Sequence, residues 1–260
     1  MGYGQTAGSP ERCAKIGDIM SDIETFKELV NQALGNRKKT KLHQDMEFLT
    51  ELFNNTEVSV TYRAKKLADI YSVARTLNPK LDHSDLLTKD NLRLFDNWAE
   101  SGKIKEDLKN FLNTTGDIDG NPVGSKEGNR IISFLSKYAY YYTEKNFPIY
   151  DSMADEHLKT LHNKIGGDSK VGGDKYEKHF NRYLTLIKHL KSNGIEKFND
   201  HTLIDGIDAF LWLYGIMDKA TKDAENEVEK KFLYSSTCGP LNGFTKWYED
   251  SKKFMQNNKQ

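Results

Sequence analysis

The chain has 260 residues, and its 38 basic and 38 acidic side chains cancel, so the molecule as a whole is no polyanion trap. Its 13 Tyr, 13 Phe and 3 Trp exclude a disordered chain, and only 5 Pro leave long stretches free of helix breakers. No run approaches the roughly 18 uninterrupted apolar residues of a membrane span. The polar, Gly-rich residues 1–11 also lack the apolar region of a signal peptide. The expectation is a soluble, cytoplasmic protein with no membrane contact. Its two cysteines, Cys13 and Cys238, then read as free thiols and leave no Cys-rich zinc module. Neither a metal nor a cofactor is expected.

Helical periodicity starts early. Ile16, Ile19, Ile23, Phe26, Leu29, Val30 and Leu34 recur at three- and four-residue steps, with Gly35 as the predicted C-cap. The basic joint Arg37–Lys41 leads to a second helix carrying Met46, Leu49, Leu52 and Phe53. A third, N-capped by Thr56, carries Leu67, Ile70, Tyr71 and Ala74 and ends at Asn78-Pro79. Val58–Thr61 is β-branched enough to start a strand, but no segment matches it as a partner. Leu86–Trp98 and Ile104–Leu112 supply two further helices.

Residues 113–128 are rich in Gly, Asp, Asn and Pro and form the clearest break, so the chain divides into 1–112 and 113–260. Compared with a calcium loop, Asp117–Asn121 fails, because Pro122 stands where the loop needs Gly and Gly128 where it needs Glu. A polar hairpin is expected there. Beyond it Ile131, Phe134, Leu135, Tyr138 and Tyr142 make an apolar stripe that predicts a helix over 129–145. Pro148 forces a break, and Asp151 stands where the next helix begins, along which Met153, Leu158 and Leu161 recur. The glycine loop 166–173 lacks the Lys-Ser/Thr ending of a P-loop and reads as a linker. Helices at about 174–192 and 201–217 follow, then a charged stretch and an aromatic segment around Trp247. His157 and His162 are five residues apart, not the four of a zinc pair, and are expected to be solvated.

Charge is uneven. Residues 126–191 hold 12 Lys and Arg against 8 Asp and Glu, which suits either a local phosphate-contacting face or an ordinary mixed surface. Within that region Arg130–Ser152 joins an apolar-faced helix, a short loop and an aspartate. Arg130, Ser133, Lys137 and Tyr141 line the flank of the stripe. On the residues alone Asp151 reads as an N-cap worth about 1 kcal/mol, and Lys137 as a solvated flank lysine.

The run Ser136-Lys137-Tyr138, the aromatics after it, and Phe147-Pro-Ile-Tyr150-Asp151-Ser152 resemble the helix-hairpin-helix DNA glycosylases, in particular their bacterial 8-oxoguanine-glycosylase-like branch. The resemblance covers about 126–162 and, more weakly, Leu203–Gly215. It implies an all-α, two-lobed helix-hairpin-helix glycosylase fold and a monomer that binds DNA and excises a damaged or modified base, with hypermodified phage cytosine among the permitted targets. It also implies that Asp151 is the catalytic aspartate, with Lys137 the candidate amine, and that Phe147, Tyr150, Ser152 and Trp212 hold the flipped base. Gly124, Ser125, Lys126, Asn129 and Arg130 would contact phosphate. Two departures stand out. The family hairpin usually reads Leu-Pro-Gly-x-Gly, and bifunctional members carry a lysine about twenty residues before the aspartate. Here Lys137 lies 14 before and Lys126 lies 25 before, so a monofunctional glycosylase is expected. The other reading is a non-catalytic helical DNA- or protein-binding module of a bacterial defence or regulatory system.

Overall fold

The protein is described from a computed structural model, which covers residues 10–71, 87–101, 106–112, 117–118, 121–122, 131–165, 171–173, 175–223 and 244–256. Among these residues are ten helices: α1 Pro10–Arg37, α2 Lys41–Asn54, α3 Val60–Ile70, α4 Lys89–Ser101, α5 Glu106–Leu112, α6 Ile132–Tyr142, α7 Ser152–Ile165, α8 Lys175–Ser192, α9 Leu203–Asp223 and α10 Phe244–Gln256. More than half the chain is therefore helical, as the scarcity of Pro and the three- and four-residue apolar steps require. The sheet is one antiparallel hairpin, in which Asp117 pairs with Pro122 and Ile118 with Asn121. It falls where the polar hairpin is expected. The ends assigned to Asn78-Pro79, and Cys238, lie outside the described residues.

Several boundaries differ from expectation; α4 spans Lys89–Ser101 rather than Leu86–Trp98, and α9 runs on to Asp223 rather than ending near 217. Helix α1 runs past Gly35 to Arg37 and stops only where the Thr40 side chain caps α2 by accepting from the His43 amide. Helix α3 is capped by Ser59 rather than Thr56, and Val60 and Thr61 are helical. Helix α6 ends at Tyr142, short of Pro148, because Glu144 and Lys145 turn left-handed at φ 51° and 65°.

The buried side chains form two clusters. One gathers Phe26, Val30 and Ala33 of α1 with Leu158 of α7, Leu186 of α8, Phe210 and Leu213 of α9 and Trp247 of α10. The other gathers Leu49 of α2, Leu67 of α3, Phe95 of α4 and Phe134 and Tyr138 of α6, with Phe147 and Phe180. The cores therefore do not divide after residue 112. The first helix packs chiefly on α9, near the other end of the chain, while α6 joins α2 to α5. The apolar stripe of a helix must be covered by some complementary stripe, and sequence distance does not choose which.

Helix α9 is the centre: every residue from Leu203 to Leu211 is buried, as expected of a helix covered on all sides. Close approach of α1 to α9 depends on Gly206, where a Cβ would lie 2.2 Å from the Phe198 ring and 2.9 Å from Val30. Gly35, in the last turns of α1, has open space around it. Gly206→Ala is therefore expected to lower the melting temperature despite alanine's higher helix propensity, through overpacking of about 1–3 kcal/mol. Gly35→Ala should raise it, by about 0.5–1 kcal/mol of helix stability. Thermal unfolding followed by circular dichroism checks both, and stabilisation by Gly206→Ala would contradict the packing.

Candidate functional site

Helix α6 places Lys137. Its apolar stripe buries Phe134, Leu135 and Tyr138, and the flank carrying Ser133, Lys137 and Tyr141 faces other helices rather than water. Lys137, expected to be solvated, is only 4% exposed. Its ammonium donates to Ser133 Oγ at 2.7 Å and lies 5.4 Å from the centre of the Tyr71 ring. The Tyr71 and Tyr141 hydroxyls meet at 2.9 Å beside it. Burial lowers the proton affinity of this amine, and Asp151 and Asp208 restore part of it.

The segment 143–151 then folds back along α6. The left-handed pair Glu144–Lys145 reverses the chain, and the Thr202 hydroxyl donates to the Lys145 carbonyl at 2.8 Å. One residue from Lys137, Ser136 Oγ accepts from the Tyr150 amide at 2.9 Å, one residue from Asp151. His179 of α8 bridges the Ile149 carbonyl and Asp155 at 3.0 Å each. These stitches bring Asp151 Oδ2 to 3.9 Å from the Lys137 ammonium. The 14-residue spacing, shorter than the family pattern, is thus no bar to their meeting. Asp151 immediately precedes α7, where free amides and the helix dipole favour negative charge.

Lys137 and Asp151 line a cavity of about 50 Å³ together with Arg37, Leu42, Met46, Tyr71, Asp208 and Trp212. It lies at the junction of the clusters, since Met46 and Ile149 belong to one and Ala154 and Ala209 to the other. The volume suits one or two waters, at about 30 Å³ of liquid each. A nucleobase is larger, so admitting one requires the half-buried side chains Leu42, Tyr71 or Trp212 to move. A wider concavity of about 460 Å³ lies elsewhere, and its charged lining residues Lys188, Lys191, Glu196, Lys197 and Asp200 are all exposed. Solvated charges of that kind are ordinary surface, so the smaller cavity is the candidate site.

Beneath the site Asp205 is completely buried and fully served. Arg37 donates to both its oxygens at 2.8 and 3.0 Å, His201 Nδ1 lies at 2.5 Å, and Tyr140 donates to Oδ1. Burial alone would raise the pKa of this carboxyl, but His201 and Arg37 overcome it and hold the group well below the usual range. One turn on, Asp208 is 8% exposed and has no hydrogen bond among the described residues. Burial pushes it up to about 7, with Asp205 and Asp151 raising it further and Arg37 and Lys137 opposing.

Of the residues expected to hold a base, Trp212 lines the cavity. Phe147 does not: it is fully buried against Phe95, Trp98 and Phe180, which makes it a core residue. Tyr150 is buried against His179 and Ser152 is exposed on the first turn of α7, both outside the cavity lining. Gly124, Ser125, Lys126, Asn129 and Arg130 lie outside the described residues. His157 and His162, expected in solvent, are 8% and 4% exposed, because the inner face of α7 packs on the first core. His157 edges against the Tyr214 ring. Sequence pattern does not single out Arg37, Asp205 or Asp208, which the fold brings to the site. Their available signal is two aspartates three apart in the otherwise apolar first half of α9, with Trp212 four residues after the second. Among the described residues no three His, Cys, Asp or Glu side chains group as a metal site.

Comparison with protein-family models, curated proteins and solved structures finds no match for this chain.

Two outcomes follow for stability. Asp205→Asn leaves Arg37 buried without its counter-charge and should cost about 3–5 kcal/mol. Because the folded carboxyl ionises more readily than the unfolded one, its contribution is present above about pH 4 and fades on acidification. The urea midpoints of wild type and variant should therefore converge toward low pH. Asp208 has the opposite sign. Between the unfolded value of about 4 and its folded value of about 7, the folded state holds an extra proton, so stability is lost as pH rises. Relative to wild type, Asp208→Asn should gain stability steadily from pH 4 to pH 7 and level off above; a difference that is flat with pH would contradict the buried carboxyl.

Proposed function

We propose that this chain is a DNA glycosylase that excises a damaged or modified base and leaves an abasic site. The observation that carries the reading is the meeting of Lys137 and Asp151, 3.9 Å apart, at a cavity that also holds Trp212 and Asp208. The resemblance over 126–162 supplies the reaction class. In that reaction the bond from the sugar C1′ to the base nitrogen breaks, and its electron pair leaves with the base. Water then forms the new bond to C1′ and gives up a proton. The sugar gains cationic character on the way, and a fixed carboxylate opposite it is worth more in a dry, preorganised site than in solution. Asp151, anchored before α7, is suited to that role. Lys137, whose amine is held by Ser133, is suited either to orient the carboxylate or to displace the base itself. The partner is DNA, contacted by a monomer through the basic region, with Lys126 and Arg130 on phosphate.

One observation favours a second reading. A cavity of about 50 Å³ is what a filled surface offers, as in a non-catalytic helical DNA- or protein-binding module.

The test incubates the protein with unmodified, oxidised, alkylated and phage-modified DNA, followed by alkali to reveal abasic sites. Asp151→Asn keeps the size of the side chain and its capping capacity. It should fold and bind DNA as wild type does, yet release base at least about a hundredfold more slowly. Full base release by this variant would assign Asp151 to capping alone. Lys137→Gln keeps base release if water displaces the base; a borohydride-trapped adduct that disappears in Lys137→Gln makes the amine the displacing group.

A further inference from the structure

The two aspartates on the inner face of α9 stand in unequal states. Asp205 has every lone-pair direction served by Arg37, Tyr140 and His201. Asp208, more than nine-tenths buried and lining the cavity, has no hydrogen bond among the described residues. A buried polar group without a partner costs stability, and such a group in a cavity marks where a ligand supplies the missing atom. The cavity thus presents an acceptor that has no partner among the described residues. Trp212, four residues after Asp208 on the same face of α9, adds a half-buried aromatic ring at the same lining.

An acceptor and an aromatic ring at one lining fit a flat ring whose edge carries an amine hydrogen. Resting on the glycosylase reading, we propose that Asp208 is the base-reading residue of the site, accepting from the exocyclic amine of an extruded base, so that the substrate class is aminated bases of the cytosine or adenine type. Their deaminated counterparts carry a carbonyl in place of that amine. Above about pH 7 Asp208 is a carboxylate with no proton to give, and in uracil the one ring N–H on this edge is flanked by two carbonyl oxygens, which would then face the Asp208 oxygens and repel them. Aspartate accepting from the cytosine amine is an established pairing in DNA recognition. Extruded bases are in general read on this Watson–Crick edge while stacked on aromatic side chains. Sites built to meet such an N–H reject analogues that lack it, because their own buried groups are then left unpaired.

The experiment measures equilibrium binding of the full chain by fluorescence anisotropy, at one fixed salt concentration and at a pH of about 8, above the value of about 7 to which burial pushes Asp208. Four duplexes are compared, identical except for a central cytosine, uracil, adenine or hypoxanthine, each set opposite an abasic analogue so that no pairing opposes extrusion. The wild type is expected to bind the cytosine and adenine duplexes at least about tenfold more tightly than their uracil and hypoxanthine counterparts. Asp208→Asn, whose amide can accept from an amine or donate to a carbonyl, should bring each pair to within about threefold. Asp208→Leu should lose the preference with no gain for the deaminated duplexes. Should Asp208→Leu fail to fold, the Asn variant alone decides. Wild-type affinities within about twofold of one another overturn the proposal, as does a preference that survives both substitutions. In either case base release from damaged DNA, measured in parallel, leaves the glycosylase reading standing. No binding to any duplex overturns both.

Discussion

The Asp205 carboxylate is the interaction on which the rest of the arrangement depends. It receives Arg37 from the end of α1, Tyr140 from α6 and His201 from the start of the α9 segment, so one buried charge fixes three elements relative to one another. Arg37 and Asp205 are 168 residues apart in sequence, and their pair ties the outermost parts of the fold together. Burying two charges is costly, and attraction offsets that cost only where the remaining hydrogen-bonding positions are filled. Here those of the carboxylate are filled. Tyr140 lies one helical turn from Lys137, and Arg37 lines the cavity itself, so whatever loosens Asp205 displaces both walls of the site.

The charges around the cavity cannot all be expressed at once. Arg37 and Lys137 face Asp151, Asp205 and Asp208 at the meeting of two apolar cores. Burial favours neutral forms, and the competition falls on the groups with the fewest hydrogen bonds. Asp205 remains ionised because it is served from three sides. Asp208 keeps a proton up to about pH 7 and Lys137 holds its own less firmly than a lysine in water. A site tuned in this way holds one carboxyl able to exchange a proton near neutrality beside an amine of lowered proton affinity, a pairing of the kind that functional sites use.

Packing sets the positions of those groups more than any local preference does. Lys137 and Asp151 are adjacent because the Tyr150 amide bonds the Ser136 hydroxyl and because Phe147 drives the intervening segment into the aromatic cluster of Phe95, Trp98 and Phe180. Phe147 therefore serves the site as an anchor of the loop rather than as a surface for a base. The cavity is narrow for the same reason, since α9 is buried from Leu203 to Leu211 and residues of α1, α2, α6 and α7 close over it beside Asp208.

The sequence by itself determined the helical class, the break between 113 and 128, the hairpin at its centre and the aspartate at the head of α7. These are local properties, set by apolar periodicity, turn chemistry and the restriction that Pro148 imposes, and all are readable within a window of a few residues. It also drew Lys137, Asp151 and Trp212 out of the chain. The tertiary structure alone decided which helices share a core, so that α1 lies with α7 to α10 and α6 with α2 to α5. It turned Lys137, His157 and His162 inward, where their patterns had suggested solvent, and it moved Phe147 and Tyr150 out of the site. Arg37 looks in sequence like one more cation of a basic joint, and only its meeting with Asp205 across the fold makes it buried. Burial and long-range pairing depend on which surfaces meet, and a chain read one window at a time carries no record of that.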